Sequence, residues 1–408
     1  MFETEAARLD AADSLAEKRQ LFAIPEGISY LDGNSLGALP KSAIVAIDAA
    51  VRDEWGEGLI RSWNTAGWVD IAQRVGNKIA ALIGAVPDSV VACDSTSVNL
   101  YKALHAACGL RPDRSVILTD VDNFPTDLYL IDSVAKERGL RVVALPRNEI
   151  IDAINQDVAV LELTHVDYRS SAMYDMADIT GIVHRAGALT IWDLAHSAGA
   201  VPLDVTNADA DFAVGCGYKY LNGGPGAPAF IYVSQSLSGS ISQPIHGWHG
   251  HARPFEFSRS YEPAAGVDRM LVGTPPVLSM TGLSAALDIF QDVSMSELRA
   301  KSLGLSTFFY QLAEEHLVTR GLGIVSERDS NKRGSHVALS HSNGYSIIRA
   351  LIERGVVGDF RRPDILRFGF APLYNTYADV ARLVSEAIDI IDTKYYLAER
   401  FTTESAVV

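Results

Sequence analysis

One lysine stands alone in an uncharged run of glycines, aromatics and a proline, Gly215-Cys216-Gly217-Tyr218-Lys219-Tyr220-Leu221-Asn222-Gly223-Gly224-Pro225-Gly226. Strand-like segments flank it, Asp211 to Val214 before and Ala229 to Val233 after. This context predicts a buried, backbone-rich turn. Burial disfavours an ammonium relative to the neutral amine, and the neutral amine is the nucleophile that adds to a carbonyl. A lysine that merely snorkels out of a tight turn fits the same residues. Partners elsewhere in the chain have to decide between the two.

A carboxylate is the first such partner. The apolar run Thr190-Ile191-Trp192 ends in Asp193, and His196 follows three residues later. An aspartate after a strand caps a helix as readily as it does chemistry. However, about one helix and one strand separate Asp193 from Lys219, so adjacent parallel strands would bring both to one sheet edge. A carboxylate near an imine-forming lysine suits pyridoxal phosphate (PLP), because it keeps the pyridine nitrogen protonated and the ring an electron sink. His196 could then stand at the ring. In Cys93-Asp94-Ser95-Thr96-Ser97, hydroxyl residues follow one strand-like run and precede a helix-like one. Backbone N–H groups and hydroxyls at a helix start suit a phosphate, and they equally suit a plain capping turn. In Asp122-Asn123-Phe124-Pro125-Thr126-Asp127, Phe124 could cover a planar ring and Asp127 could orient its polar edge; a proline-initiated turn is the alternative.

The elements that must position these groups read as α/β. Seven apolar runs, near residues 90–92, 115–119, 141–145, 158–163, 189–192, 212–214 and 230–233, alternate with helix-like stretches. That pattern predicts a mostly parallel, seven-stranded sheet sandwiched by helices, with ligands at the carboxyl ends of its strands. Helices are expected over 3–20, 41–55, 279–317 and 377–400. Strands near 336–339 and 366–370 predict a smaller α+β domain. The expected division is an N-terminal segment, 1–35, joining the small domain, a large domain, 36–290, and a small C-terminal domain, 291–408, whose end from Phe401 is frayed. Trp55, Trp63 and Trp68 lie in a glycine-interrupted span and suit packing at a domain or subunit surface, or the lining of an aromatic pocket.

With 408 residues and a net charge of −15, the chain reads as an acidic, soluble protein, which argues against a general nucleic-acid binder. Three cysteines without metal-ligand spacing read as free thiols of a reducing compartment. The acidic N-terminus lacks the basic and apolar sections of a signal peptide, and a cytoplasmic protein is expected.

Several motifs together resemble the kynureninase family, PLP enzymes of the aspartate-aminotransferase structural superfamily. They are Leu31-Asp32-Gly33-Asn34-Ser35-Leu36-Gly37, Phe124-Pro125-Thr126-Asp127, Asp193 to Gly199, Tyr218-Lys219-Tyr220-Leu221, Gly247-Trp248-His249-Gly250-His251, Thr274-Pro275-Pro276, and Arg367-Phe368 before Pro372-Leu373-Tyr374-Asn375. The resemblance implies a PLP-dependent transferase-like fold and hydrolytic Cβ–Cγ cleavage of L-kynurenine to anthranilate and L-alanine, in tryptophan catabolism or NAD biosynthesis. Lys219 would carry the cofactor and move the α-proton, and Tyr218 would act as an acid near Cβ, which requires a lowered pKa. Asp193 would pair with the ring nitrogen, Phe124 would stack, and Asp127 would lie near the phenolic edge. Thr96, Ser97 and Tyr218 would hold the phosphate, and Thr164 and His196 would complete the pocket. Trp248 and Thr274 would reach the partner's site in a homodimer. Arg367 would take the substrate carboxylate, with Ser35 and Trp63 also at the substrate. Some relatives carry Asn at the Thr274 position; here unsubstituted kynurenine is favoured over its 3-hydroxy form.

A cysteine desulfurase or an aminotransferase on the same scaffold, or a silent binding protein, are the competing readings. A desulfurase needs a mobile cysteine, and none of the three is so placed.

Overall fold

The computed structural model describes residues 2–403. Its centre is a seven-stranded sheet in the order Val90–Ala92, Ala229–Val233, Phe212–Cys216, Leu189–Asp193, Val158–Thr164, Val116–Asp120, Arg141–Leu145. The two pairings made by Ala229–Val233 are antiparallel and the rest are parallel. Every residue of Val158–Thr164, Leu189–Asp193 and Phe212–Cys216 is buried. Helices cover both faces of such a sheet, which is why its strands carry continuous apolar runs rather than alternation.

A second sheet has the order Asp359–Arg361, Ile365–Gly369, His336–Ser340, Gly323–Ile324, all antiparallel. Its core is separate and includes Leu305, Phe309, Val337, Ile347, Phe368 and Val384. The N-terminal segment serves both cores. Leu15 and Phe22 pack in the large one, Ala6 and Leu31 in the small one. Ser29–Tyr30 also pairs in parallel with Val356–Val357.

Several expected elements differ: the 3–20 helix is Phe2–Ala11 followed by a separate 3-10 turn, Ala16–Leu21, and the 377–400 helix ends at Asp392. The 279–317 helix is broken into Val277–Leu287 and Met295–Leu312, because Ser294 and Glu297 form a capping box that starts a new helix. The 41–55 helix is α-helical only over Lys41–Ala49. It widens to π geometry over Ala50–Gly58, where Gly56 and Gly58 weaken the α form and the Ser62 hydroxyl takes the Glu54 carbonyl at 2.6 Å. The chain end is not frayed at Phe401, which sits 2% exposed in the small core; residues 404–408 lie outside the described part. Among the described residues, no helix is long and apolar enough to cross a membrane.

Candidate active site

Lys219 lies in the turn just beyond strand Phe212–Cys216 and is half-buried, more accessible than its apolar neighbours suggest. The turn closes on itself. The Gly223 N–H donates to the Gly217 carbonyl at 2.8 Å and the Asn222 N–H to the Lys219 carbonyl at 2.9 Å, with Asn222 in the left-handed region at φ 57°. Just after the N-terminal segment, the Gly37 N–H donates to the Tyr218 carbonyl at 2.8 Å. Lys219 Nζ stands 3.2 Å from His196 Nε2.

Asp193 ends the adjacent parallel strand, in register with Val214. Its Oδ1 accepts the Ala195 N–H at 2.7 Å. Two further buried carboxyl groups crowd it, Asp127 and Glu162. Burial raises the Asp193 pKa, and the nearby Lys219 charge opposes that rise. Burial, then Asp193 and Glu162, push Asp127 well above the usual carboxylate range. Burial, then Asp193, push Glu162 up to about 8. The group is cross-linked. Asn123 Nδ2 donates to Glu162 at 2.6 Å, and the Thr164 hydroxyl contacts both Asn123 Oδ1 and, at 3.3 Å, Asp127 Oδ2. Three buried acids packed together favour a positive charge beside them. Asp127 thus sits on the Asp193 side of the pocket.

Phe124 precedes Pro125, the first residue of helix Pro125–Arg138, and its ring is 36% exposed. It meets Tyr168 edge-on at 5.3 Å, so a face is available for a planar ring. Ser95 caps helix Thr96–Gly109, which places Thr96 and Ser97 in its first turn. Beneath this turn the fully buried Lys102 reaches Asp94 at 2.7 Å and the Met270 carbonyl at 2.6 Å, tying the turn to the segment that leads to Thr274.

Tyr218 differs from expectation. The Cys216 sulfur beside it, and then burial, raise its pKa, the opposite of what a proton donor to carbon needs. Its hydroxyl is a neutral hydrogen-bonding group here.

Arg367 comes from the small sheet and is 1% exposed. Asp359 holds Nε at 2.8 Å and also takes Nη2, and the Tyr168 carbonyl takes Nη1 at 2.6 Å. Ser35 hydrogen-bonds Asp359 and lies 3.3 Å from Nη2, so the structure does bring Ser35 to Arg367. Trp63 and Trp248 form a separate aromatic group, 6.0 Å apart, with Trp68 and Phe255. Among the described residues no ring contact joins that group to Tyr218, Phe124 or His196. Thr274 is exposed.

The residues that sequence reasoning missed are Glu162, Asn123, Lys102, Asp359 and His336. Only Glu162 carried a signal, as the one acid inside an apolar strand.

The fold matches solved structures of C-DES, a cystine C–S lyase whose description includes a PLP cofactor, with TM-score 0.79 at 18% identity over 91% of this chain and 99% of that one. It also matches the cysteine desulfurase CsdA of Escherichia coli, with TM-score 0.78 at 24% identity over 93% and 99%. The architecture is therefore that of the PLP-dependent α/β enzymes. Residues 298–386 match the family model described as the kynureninase C-terminal domain. Kynureninase of Pseudomonas fluorescens is 49% identical over 407 residues, 98% of each chain, and that of Burkholderia mallei 46% over 411 residues, 99% of each. The chain belongs to the kynureninase family.

Likeness to desulfurases stops at the fold. All three cysteines are buried, Cys216 within a strand, and burial pushes the Cys93 and Cys108 thiols up to about 11. None is a mobile thiolate.

Proposed function

We propose that this chain is a PLP-dependent hydrolase that cleaves the Cβ–Cγ bond of L-kynurenine to give anthranilate and L-alanine, a step of tryptophan catabolism. The observation that carries it is the convergence of Lys219 and His196 at the sheet edge with Arg367 from the small sheet, in a chain of this family. An amine and a guanidinium whose charges both reach one histidine suit an amino acid: one end reacts, the other is held through its carboxylate.

Lys219 would bind the cofactor, with Asp193 at the ring nitrogen, Phe124 on one face and His196 near the lysine. Thr96, Ser97 and Tyr218 would take the phosphate, and Thr164 and Asp127 would complete the polar edge. When bound, PLP supplies the electron sink for charge left at Cα. Lys219 then moves the Cα proton. Asp193 would hold the counter-charge, while burial and their neighbours favour the protonated forms of Asp127 and Glu162. Burial and the Lys219 charge keep His196 neutral, so it accepts or donates a hydrogen bond without adding charge. Tyr218 is assigned as a phosphate donor ahead of proton delivery to Cβ, because its pKa is shifted upward.

The same reading makes the enzyme a cytoplasmic homodimer with sites at the subunit interface. Apolar side chains along 44–60 support it: Val45 is 71% exposed, Trp55 57%, Leu59 58% and Ile60 77%. Trp63, Trp248 and Thr274 would then serve the partner's site. In this reading the substrate is unsubstituted kynurenine rather than its 3-hydroxy form. The division into 1–35, 36–290 and 291–408 belongs to this reading and is supported by the two separate cores.

Product analysis tests the reaction. Protein loaded with PLP and given L-kynurenine should release anthranilate and alanine in equal amounts, with no amino acceptor added. A keto acid in place of alanine would indicate an aminotransferase, and a protein that takes up no PLP would indicate a binding module.

A further inference from the structure

His336 opens the strand His336–Ser340 and is 1% exposed, yet neither ring nitrogen has a hydrogen-bond partner. The Tyr168 carbonyl lies on one side of the ring without reaching hydrogen-bond geometry. That carbonyl is already taken by Arg367. A buried polar ring with both nitrogens unpaired is costly, and in native proteins such a group generally has a task.

The sheet says where the ring faces. His336 is paired with Gly369, two residues from Arg367, so His336 and Arg367 lie on one face of the small sheet. Gly369 leaves that face open for the Asn34 loop: a Cβ there would stand 2.6 Å from the Asn34 nitrogen. Across from this face, the His336 ring centre is 5.6 Å from that of His196, which itself touches Lys219. The charges that reach His336 are those of Arg367, Asp359 and Lys219. It therefore neighbours both groups assigned to the two ends of the amino acid, the guanidinium on its own sheet face and the amine by way of His196.

We propose that His336 is a substrate-contacting residue, whose imidazole hydrogen-bonds the α-carboxylate end of the bound amino acid beside Arg367. Burial, and then Arg367, lower its pKa to about 3, so the ring is neutral and offers one N–H donor and one acceptor. A neutral donor here adds recognition beside the Arg367 guanidinium without a further positive charge. The inference rests on the reading of Lys219 and Arg367 given above.

Two probes split the substrate. L-Alanine carries only the amino-acid end and anthranilate only the aryl end. In holoenzyme, alanine binding is followed through the visible cofactor band and anthranilate binding by equilibrium dialysis, neither of which needs turnover. His336→Phe should weaken alanine about tenfold or more and leave anthranilate within about twofold, while His336→Gln, which keeps a donor and an acceptor, should stay within about threefold for both. If the phenylalanine variant does not keep the cofactor band, His336→Leu, close to imidazole in volume, carries the same test. Unchanged alanine binding, or equal weakening of both probes, would overturn the proposal. Failure of the parent reading shows differently: wild-type protein would then release no anthranilate from kynurenine, while the alanine titration still decides His336.

Discussion

Gly37 lies directly against the turn that carries Lys219. Its N–H donates to the Tyr218 carbonyl at 2.8 Å, and a Cβ added to it would meet the Lys219 carbonyl oxygen and stand 2.7 Å from the Asn222 Cα. The obstacle is backbone, which cannot rotate away as a flexible side chain does. The Lys219 turn is thus held by a chain segment that, five residues earlier, also pairs with the small sheet through Asp32 and Gly369.

Gly37→Ala should therefore displace the lysine turn. A shift of about an ångström in a reacting group costs roughly a hundredfold in rate. Steady-state kinetics should show kcat falling by about that much, with the thermal midpoint also lowered. An alanine variant with wild-type kcat would mean the turn adjusts freely.

Glu162 makes a pH prediction. Its folded pKa is raised from 4.5 to about 8, so the folded protein favours the protonated acid. The stabilising contribution is present in full below about pH 4.5 and is lost as pH rises through about 8. Glu162→Gln keeps the shape without the charge. In the apoprotein it should leave denaturant stability nearly unchanged at about pH 5 and exceed wild type by about 1–3 kcal/mol at about pH 9. A variant less stable than wild type at the higher pH would show that the carboxylate is paired rather than repelled.

The proposed sharing of sites between subunits makes a mixing prediction. Lys219→Ala and Trp248→Ala homodimers should each be inactive, one lacking the amine and the other the aromatic group that serves the partner. Mixing them under exchange conditions should restore about a quarter of wild-type activity, since about half the dimers are hybrids and each carries one intact site. No recovery despite demonstrated subunit exchange would place Trp248 in its own chain's site or outside catalysis.

How far the chain was legible follows from which forces act locally. Asp193 and Lys219 could be brought together from sequence because the strands carrying them are buried on both faces and so are continuously apolar. Parallel neighbours end at the same edge. Arg367 was legible through the motif around it, but its clamp by Asp359 was not, since that contact depends on the antiparallel register Asp359↔Arg367. His336 had no local signal: a histidine opening a strand looks like any other until the facing domain is placed. The break in the 279–317 helix could have been anticipated from Ser294 and Glu297, whose spacing is that of a capping box. The raised Tyr218 pKa depends on its contact with Cys216, two residues back across a turn, which composition does not reveal.

The central claim is that Lys219 is the residue that binds the cofactor. Holoenzyme treated with borohydride, digested and examined by mass spectrometry tests it most directly, because reduction fixes PLP to whichever amine holds it. The added mass should fall on the peptide containing Lys219, with Lys219→Ala protein unlabelled and without the visible cofactor band. Label on another lysine, or an undiminished band in Lys219→Ala protein, would contradict it.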